Sequence, residues 1–286
     1  MSNQSNASQS QTDRIKGLLY GLAVGDQIGG PIRMALQLST ALLDTHRFDA
    51  KNVLRHYYGW WREAGFDTGN VVHNVFIEMK RGKLNLEAVE TIHRQTNGMT
   101  GGCNPMHRAS PLALLKTATF TDLETYAMQD AKLTHYDPIA GECSAFVVLT
   151  CRRILEGATI NNALTTTYNA LNTNSLLKTD LHDVITFDKA NPQLEKPLSN
   201  YGYSPDVLRA TVYMLKTNDT FEATLESAFA FAGVGNYCPV VVGAIAGAYY
   251  GYSAIPRQLF LNHHAIVAHE LDSIIERFVQ LWNTDA

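Results

Sequence analysis

Five turns hold most of the side chains able to do chemistry: residues 25–31, 65–70, 101–111, 134–138 and 233–237. Each joins or opens a segment with helical hydrophobic spacing, and all but 134–138 mix Gly with polar residues. The start of a helix presents unsatisfied N–H groups and the positive end of its dipole, so several converging starts would form a pocket for an anionic ligand. Asp26, Asp67 and Asp137 supply carboxylates at these turns, and His107 and His135 supply imidazoles. Each residue also has a plainer role open to it. Asp67 could simply cap the helix that follows, Asp26 could satisfy a helix end, and His135 could bond a buried carbonyl.

The elements that would position these turns are helices. Apolar residues recur at helical spacing through most of the 286 residues, and no alternating strand pattern stands out. Helices are expected over residues 14–24 (capped by Asp13), 31–44, 49–64, 67–82, 86–95, 106–115, 123–132, 139–155, 161–171, 180–187, 205–216, 221–231, 240–250 and 265–282. The organising stretch is AGVGNYCPVVVGAIAGAYYG at 232–251, uncharged throughout and rich in Gly and Ala. A helix apolar all round is buried, and this one is too short to span a bilayer, which needs about 20 apolar residues. Small side chains on it let other backbones approach closely. Residues 188–204, DKANPQLEKPLSNYGYS, are the one long irregular connection and a candidate cover for a pocket.

Composition narrows the classes of function. Hydrophobic content of 45% suits a globular core, and a net charge of −4 leaves no basic field for nucleic acid. Cys103, Cys143, Cys151 and Cys238 are scattered without a CxxC pair, which suits free thiols in a reducing cytoplasm. Residues 1–12 read as a disordered polar tail without signal-peptide features, and residues 13–286 as one domain. No membrane association is expected, and oligomeric state is not readable.

Taken in order, GLAVGDQIG, FDTGN, GGCNPMHRASPLAL, LTHYDP, GYSPDVLRATVYML and AGVGNYCPVVVGAIAGAYYG resemble the ADP-ribosyl-glycohydrolase family, in particular its dinitrogenase-reductase-activating branch. The resemblance covers about residues 15–256. It implies an all-α, compact, orthogonal multi-helix single domain that cleaves the bond between ADP-ribose and a protein side chain, usually with a pair of Mg²⁺ ions between helix ends.

The metal motifs are where the sequence departs from the family. Thr-Asp-Asp-Thr of the first motif is replaced by Gly29, Gly30, Pro31 and Ile32, and the loop that normally carries a functional Glu is deleted. The second motif, Gly-Gly-Asp-x-Asp-Thr, becomes Ala232, Gly233, Val234, Gly235, Asn236 and Tyr237. Mg²⁺ needs oxygen ligands in near-octahedral geometry, with carboxylates to offset its charge. A family-type dinuclear site is therefore not expected, and no cofactor is assigned.

The substrate-holding parts persist. By resemblance, Thr134 and His135 match the Thr-His pair beside ribose and phosphates, and Gly101, Gly102, Asn104, His107 and Arg108 fall in the Gly-rich binding loop. Tyr203 matches an aromatic residue near the ligand, Asn236 sits at the turn before the Ala/Gly helix, and Asp67 falls where the branch carries an aspartate facing the target arginine. The expectation is a cytoplasmic, metal-independent hydrolase of an ADP-ribosyl or ribosyl bond, with Asp67 and Asp26 as catalytic carboxylates. Its substrate would be a small molecule or an ADP-ribosylated protein. The alternative is an inactive relative that binds ADP-ribose or nucleotide as a sensor, or that serves a structural role.

Overall fold

Helices α1 (Gln11–Gly25) and α13 (Cys238–Tyr250) lie against each other along their length at the centre of the molecule. The computed structural model describes residues 10–171, 175–190, 192–233, 235–260 and 262–283, with backbone alone for 262–266. The two helices meet through backbone. A Cβ placed on Gly17 would lie 2.0 Å from the carbonyl oxygen of Gly247, and one on Gly21 would lie 2.0 Å from that of Gly243. Gly25 continues the row, with a Cβ there 2.2 Å from the Pro239 oxygen. Residues four apart form one ridge of a helix, so three glycines in register remove that ridge and let the partner helix settle in. All of Cys238–Ala248 is buried, as its uncharged sequence requires.

Around this pair run α2 (Gly30–Thr45), α3 (Ala50–Ala64), α4 (Gly69–Lys80), α5 (Asn85–Gln95), α6 (Asn104–Arg108), α7 (Phe120–Lys132), α8 (Pro138–Leu155), α9 (Ile160–Ala170), α10 (Leu176–Thr186), α11 (Ser204–Thr217), α12 (Phe221–Ala232) and α14 (Asn262–Asn283). The all-α class holds: among the described residues there is no strand, only an isolated bridge between Gly102 and Tyr203. Buried apolar side chains from α1 to α14 join one core cluster. No helix among the described residues is long and apolar enough to cross a membrane. The four cysteines are buried and unpaired with one another.

Several expected boundaries move, each for a local reason. The first helix starts at Gln11, with Ser10 rather than Asp13 as its cap, so residues 10–12 of the expected tail belong to the helix and its cap; residues 1–9 lie outside the described ones. Asp13 instead accepts hydrogen bonds from the backbone and hydroxyl of Ser253. The expected 106–115 helix breaks into α6 and a 3₁₀ turn, Ser110–Leu114, because Pro111 has no N–H to continue the ladder. Ser175 caps α10, which starts four residues before the expected position. Asp67 does not cap α4: Thr68 holds the cap position, and Asp67 sits in left-handed backbone at φ 50°. The irregular connection across 188–204 is tied down by Arg209, whose guanidinium pairs with Asp183 and donates to the Lys196 carbonyl. Asn191 within it lies outside the described residues.

Candidate functional site

Asp26 ends α1 and turns inward. Its Oδ1 accepts from Gly29 N–H at 2.7 Å and Ile28 N–H at 3.2 Å, and its Oδ2 accepts from Ile32 N–H at 2.8 Å. The carboxylate thereby covers the first N–H groups of α2, whose cap residue, Gly29, carries no side chain to do so. Burial raises its pKa, while the three N–H bonds pull the other way. Fully buried and spent on the backbone, Asp26 works as a helix cap.

Asp67 differs. Its Oδ1 accepts from the Tyr237 hydroxyl at 2.9 Å, whereas its Oδ2 is buried with no hydrogen-bond partner among the described residues. Backbone at Gly30 fits beneath it, since a Cβ there would lie 2.3 Å from the Asp67 carbonyl oxygen. Desolvation raises its pKa, and the Tyr237 hydroxyl and the nearby Gly30 N–H only partly offset this. The same pairing and burial push the Tyr237 hydroxyl well above its ordinary value.

The loop before α6 is stitched to the start of α11. Ser204 donates from its backbone to the Gly101 carbonyl and from its hydroxyl to the carbonyls of Gly101 and Gly102; Cys103 N–H reaches the Gly202 oxygen at 3.0 Å. Tyr203 packs on Gly101, where a Cβ would meet its ring at 2.9 Å. Asn104 donates to the Thr68 carbonyl and accepts from Arg108 Nη1. Arg108 has no exposed surface: it pairs with Asp130 at 3.0 Å, donates to Asp130 O and Thr134 Oγ1, and lies 4.6 Å from the centre of the Tyr57 ring. Thr134 Oγ1 lies 2.9 Å from Nδ1 of His135. That oxygen also accepts from Arg108 and lies 3.5 Å from the Ala131 carbonyl. A single buried network thus runs from Asp130 through Arg108 and Thr134 to His135.

Both histidines are held neutral. Burial, with Arg108 nearby, lowers His107 and His135 to about 3. His107 Nε2 is buried without a partner, and its ring centre lies 5.4 Å from that of Tyr237.

A cavity of about 200 Å³ opens among these groups, walled chiefly by Asp67, Gly102, Asn104, His107, His135 and Tyr237. The first residues of α4, Gly69 to Val71, also line it, and no side chain caps them. Five of the residues expected from sequence therefore meet here: Asp67, Gly102, Asn104, His107 and His135. Gly101, Arg108 and Thr134 lie beneath the cavity and brace it; Tyr203 is partly exposed and covers Gly101 outside its wall. Asn236 is buried away from it, accepting from Cys238 N–H and donating to the Ser199 and Tyr201 carbonyls. Asp137, a third candidate carboxylate, caps α8 by accepting from Ile139 N–H. Tyr237 was not expected. A large hydroxyl-bearing ring at a helix start, where Ser, Thr or Asp would serve as cap, was the signal for it.

The donor set does not fit a dinuclear Mg²⁺ site of the family type. At the start of α2, Gly29, Gly30, Pro31 and Ile32 carry no side-chain oxygen, and both oxygens of Asp26 accept from backbone. At the start of α13, the Asn236 amide is committed at both ends, and Val234 lies outside the described residues. A hard cation needs several oxygens free to face it.

A family model described as ADP-ribosylglycohydrolase matches residues 32–286. Curated relatives include an ADP-ribosylarginine hydrolase Tri1 of Pseudomonas putida (strain GB-1), 21% identical over 85% of this chain and 72% of that protein. Another, of the same name from Serratia proteamaculans (strain 568), is 23% identical over 86% of this chain and 74% of its own length. Among solved structures, an ADP-ribosylglycohydrolase-related protein complex superposes with a TM-score of 0.73 at 23% identity, covering 94% of this chain and 98% of the other. At that identity the superposition speaks for the fold.

Proposed function

The chain belongs to the ADP-ribosylglycohydrolase family, and from that premise we propose that it hydrolyses the glycosidic bond between ADP-ribose and an arginine-like guanidine without the family's pair of metal ions. The observation that carries this reading is Asp67, one oxygen pinned by Tyr237 and the other unpartnered at a cavity flanked by two neutral imidazoles. The carboxylate faces the guanidinium of the substrate. As the ribose C1–N bond lengthens, positive charge grows on the sugar and the guanidine leaves with its bonding pair. Water adds to C1, gives its proton to Asp67, and the proton passes to the departing guanidine, so the products are ADP-ribose and an arginine side chain. His135, through Nε2, orients a ribose hydroxyl or the incoming water. The uncapped N–H groups at the start of α4 suit the phosphates.

A second reading is favoured by one observation: among the described residues only one carboxylate lines the cavity, where glycosidases use two. On that reading the protein binds ADP-ribose without cleaving it. Release of ADP-ribose from ADP-ribosyl-arginine, measured with EDTA present for the natural protein and for Asp67→Asn, separates the two. General-base catalysis is worth about 10²–10⁴-fold, so the variant is expected to fall by that factor. Turnover that disappears with EDTA and returns with Mg²⁺ refutes metal independence. Tight ADP-ribose binding without any turnover leaves the sensor reading.

A further inference from the structure

We propose that His107 is a specificity-determining residue: its Nε2 and Asp67 Oδ2 form a two-point subsite for a planar group with at least two N–H donors. It rests on the reading of Asp67 as the contact to the leaving group, and adds the residue that makes the contact selective.

The polar groups on the cavity wall divide sharply. The Asn104 amide, the Tyr237 hydroxyl and His135 Nδ1 are bonded within the protein. Asp67 Oδ2 and His107 Nε2 are buried and meet no partner among the described residues. Buried polar atoms are nearly always paired, so two orphans on residues that line one small cavity mark the place where a ligand supplies the missing bonds. Both can accept. A carboxylate oxygen accepts, and a neutral imidazole offers a lone pair at Nε2 when its proton sits on Nδ1. Burial holds His107 neutral far below physiological pH, so it does not repel a cation.

The remaining wall sets size and charge. The cavity, about 200 Å³, has room for a small planar group beside Asp67 and His107. Arg108 beneath is neutralised by Asp130, so Asp67 leaves the pocket with a negative bias. A guanidinium fits: flat, cationic and rich in donors whose spacing spans two acceptors. An alkylammonium has donors but no plane, and fills the slot poorly.

The test is titration of n-butylguanidine and n-pentylamine into the natural protein, His107→Met and His107→Gln, by calorimetry. The natural protein is expected to prefer the guanidine. His107→Met should weaken guanidine binding at least about tenfold while changing pentylamine little, and His107→Gln, which keeps an acceptor, should recover part of the loss. In the natural protein with ¹⁵N-labelled histidine, the Nε2 resonance lost in His107→Gln should shift on guanidine addition. That measurement decides the matter should His107→Met fail to fold. Absence of guanidine binding at millimolar concentration, equal affinity in His107→Met, parallel loss of both probes, or an unmoved Nε2 resonance each overturns the proposal. A selective loss in a protein that fails to cleave ADP-ribosyl-arginine defeats the proposed hydrolysis and leaves this subsite standing. Asp67-dependent cleavage with His107→Met binding unchanged does the reverse.

Discussion

Replacing Gly21 by Ala tests the central seam, because it should destabilise the fold even though alanine favours helix. The new methyl carbon would sit 2.0 Å from the Gly243 carbonyl oxygen, 2.9 Å from its carbon and 3.0 Å from the Gly247 Cα. A comfortable C···O approach is about 3.3 Å or more, so α1 and α13 must part by roughly 1 Å. Backbone atoms have no rotamer through which to relieve the clash. Overpacking of this kind costs about 1–3 kcal/mol, and parting a packed helix pair also forfeits dispersion contacts along the seam. Against this stands a helix-propensity gain of about 1 kcal/mol for Gly→Ala. The net expectation is a loss of about 2 kcal/mol, or roughly 4 °C in Tm for a chain of this size. Gly59, inside α3 with nothing within 4 Å of a Cβ, is the control. Gly59→Ala keeps only the propensity gain and should raise Tm. Thermal and urea unfolding of the two variants check the opposite signs. A neutral or stabilising Gly21→Ala would refute the backbone-contact account of the seam. Because Gly25 and Pro239 extend the same row, the variant should also move Tyr237 against Asp67 and lower activity beyond the stability loss.

Acid should weaken the fold through the two buried imidazoles: their folded pKa, about 3, lies below the unfolded value of about 6.5, so the stability they contribute is present above pH 6.5 and is lost as pH falls. By pH 5 the loss is about 2 kcal/mol for each histidine, and urea unfolding at pH 7.5 and 5.0 should show His107→Met losing about 2 kcal/mol less than the natural protein. Asn236→Ala removes the bond to Cys238 N–H and two tethers to the 199–201 backbone, and should cost about 1–3 kcal/mol in urea unfolding, with that connection becoming the first site of proteolysis. No Lys or Arg is among the residues lining the cavity, so ADP-ribose affinity by calorimetry should change less than about threefold between 50 and 300 mM NaCl; a steep salt dependence would show that a cation outside this wall holds the phosphates.

Much of the fold was legible because helices declare themselves locally. The unbroken apolar run at 240–250 announced a buried helix, and its small side chains announced close neighbours. Boundaries failed where a single polar residue decided them. Ser10 and Ser175 each cap a helix that hydrophobic spacing alone starts later. At the candidate site, sequence order brought the right turns together yet could not say which way a side chain faces. Asp26 and Asp67 look alike as Asp at a glycine turn; three backbone N–H groups claim one, and a tyrosine 170 residues away claims half of the other. Arg108 looked like a ligand contact because it matches the family's Gly-rich binding loop. Its partner Asp130 lies on α7, and that pairing is set by tertiary packing that no local pattern encodes.

The missing acids and the misfit to a dinuclear site follow from one electrostatic constraint. Several carboxylates crowded at two facing helix starts are tolerable only while a cation offsets their mutual repulsion and their desolvation. Once any essential ligand is lost, the remaining acids become buried like charges, and each must find another partner or be replaced. The carboxylates that do stand near these helix starts are held otherwise: Asp26 by N–H groups at the start of α2, and one oxygen of Asp67 by Tyr237, which opens α13. The first-motif positions themselves carry Gly, Pro and Ile. Restoring a single acid at either helix start should therefore not rebuild a metal site. It would add an unpaired charge beside Asp67, push that carboxyl further toward its protonated form, and weaken the base on which the proposed hydrolysis depends.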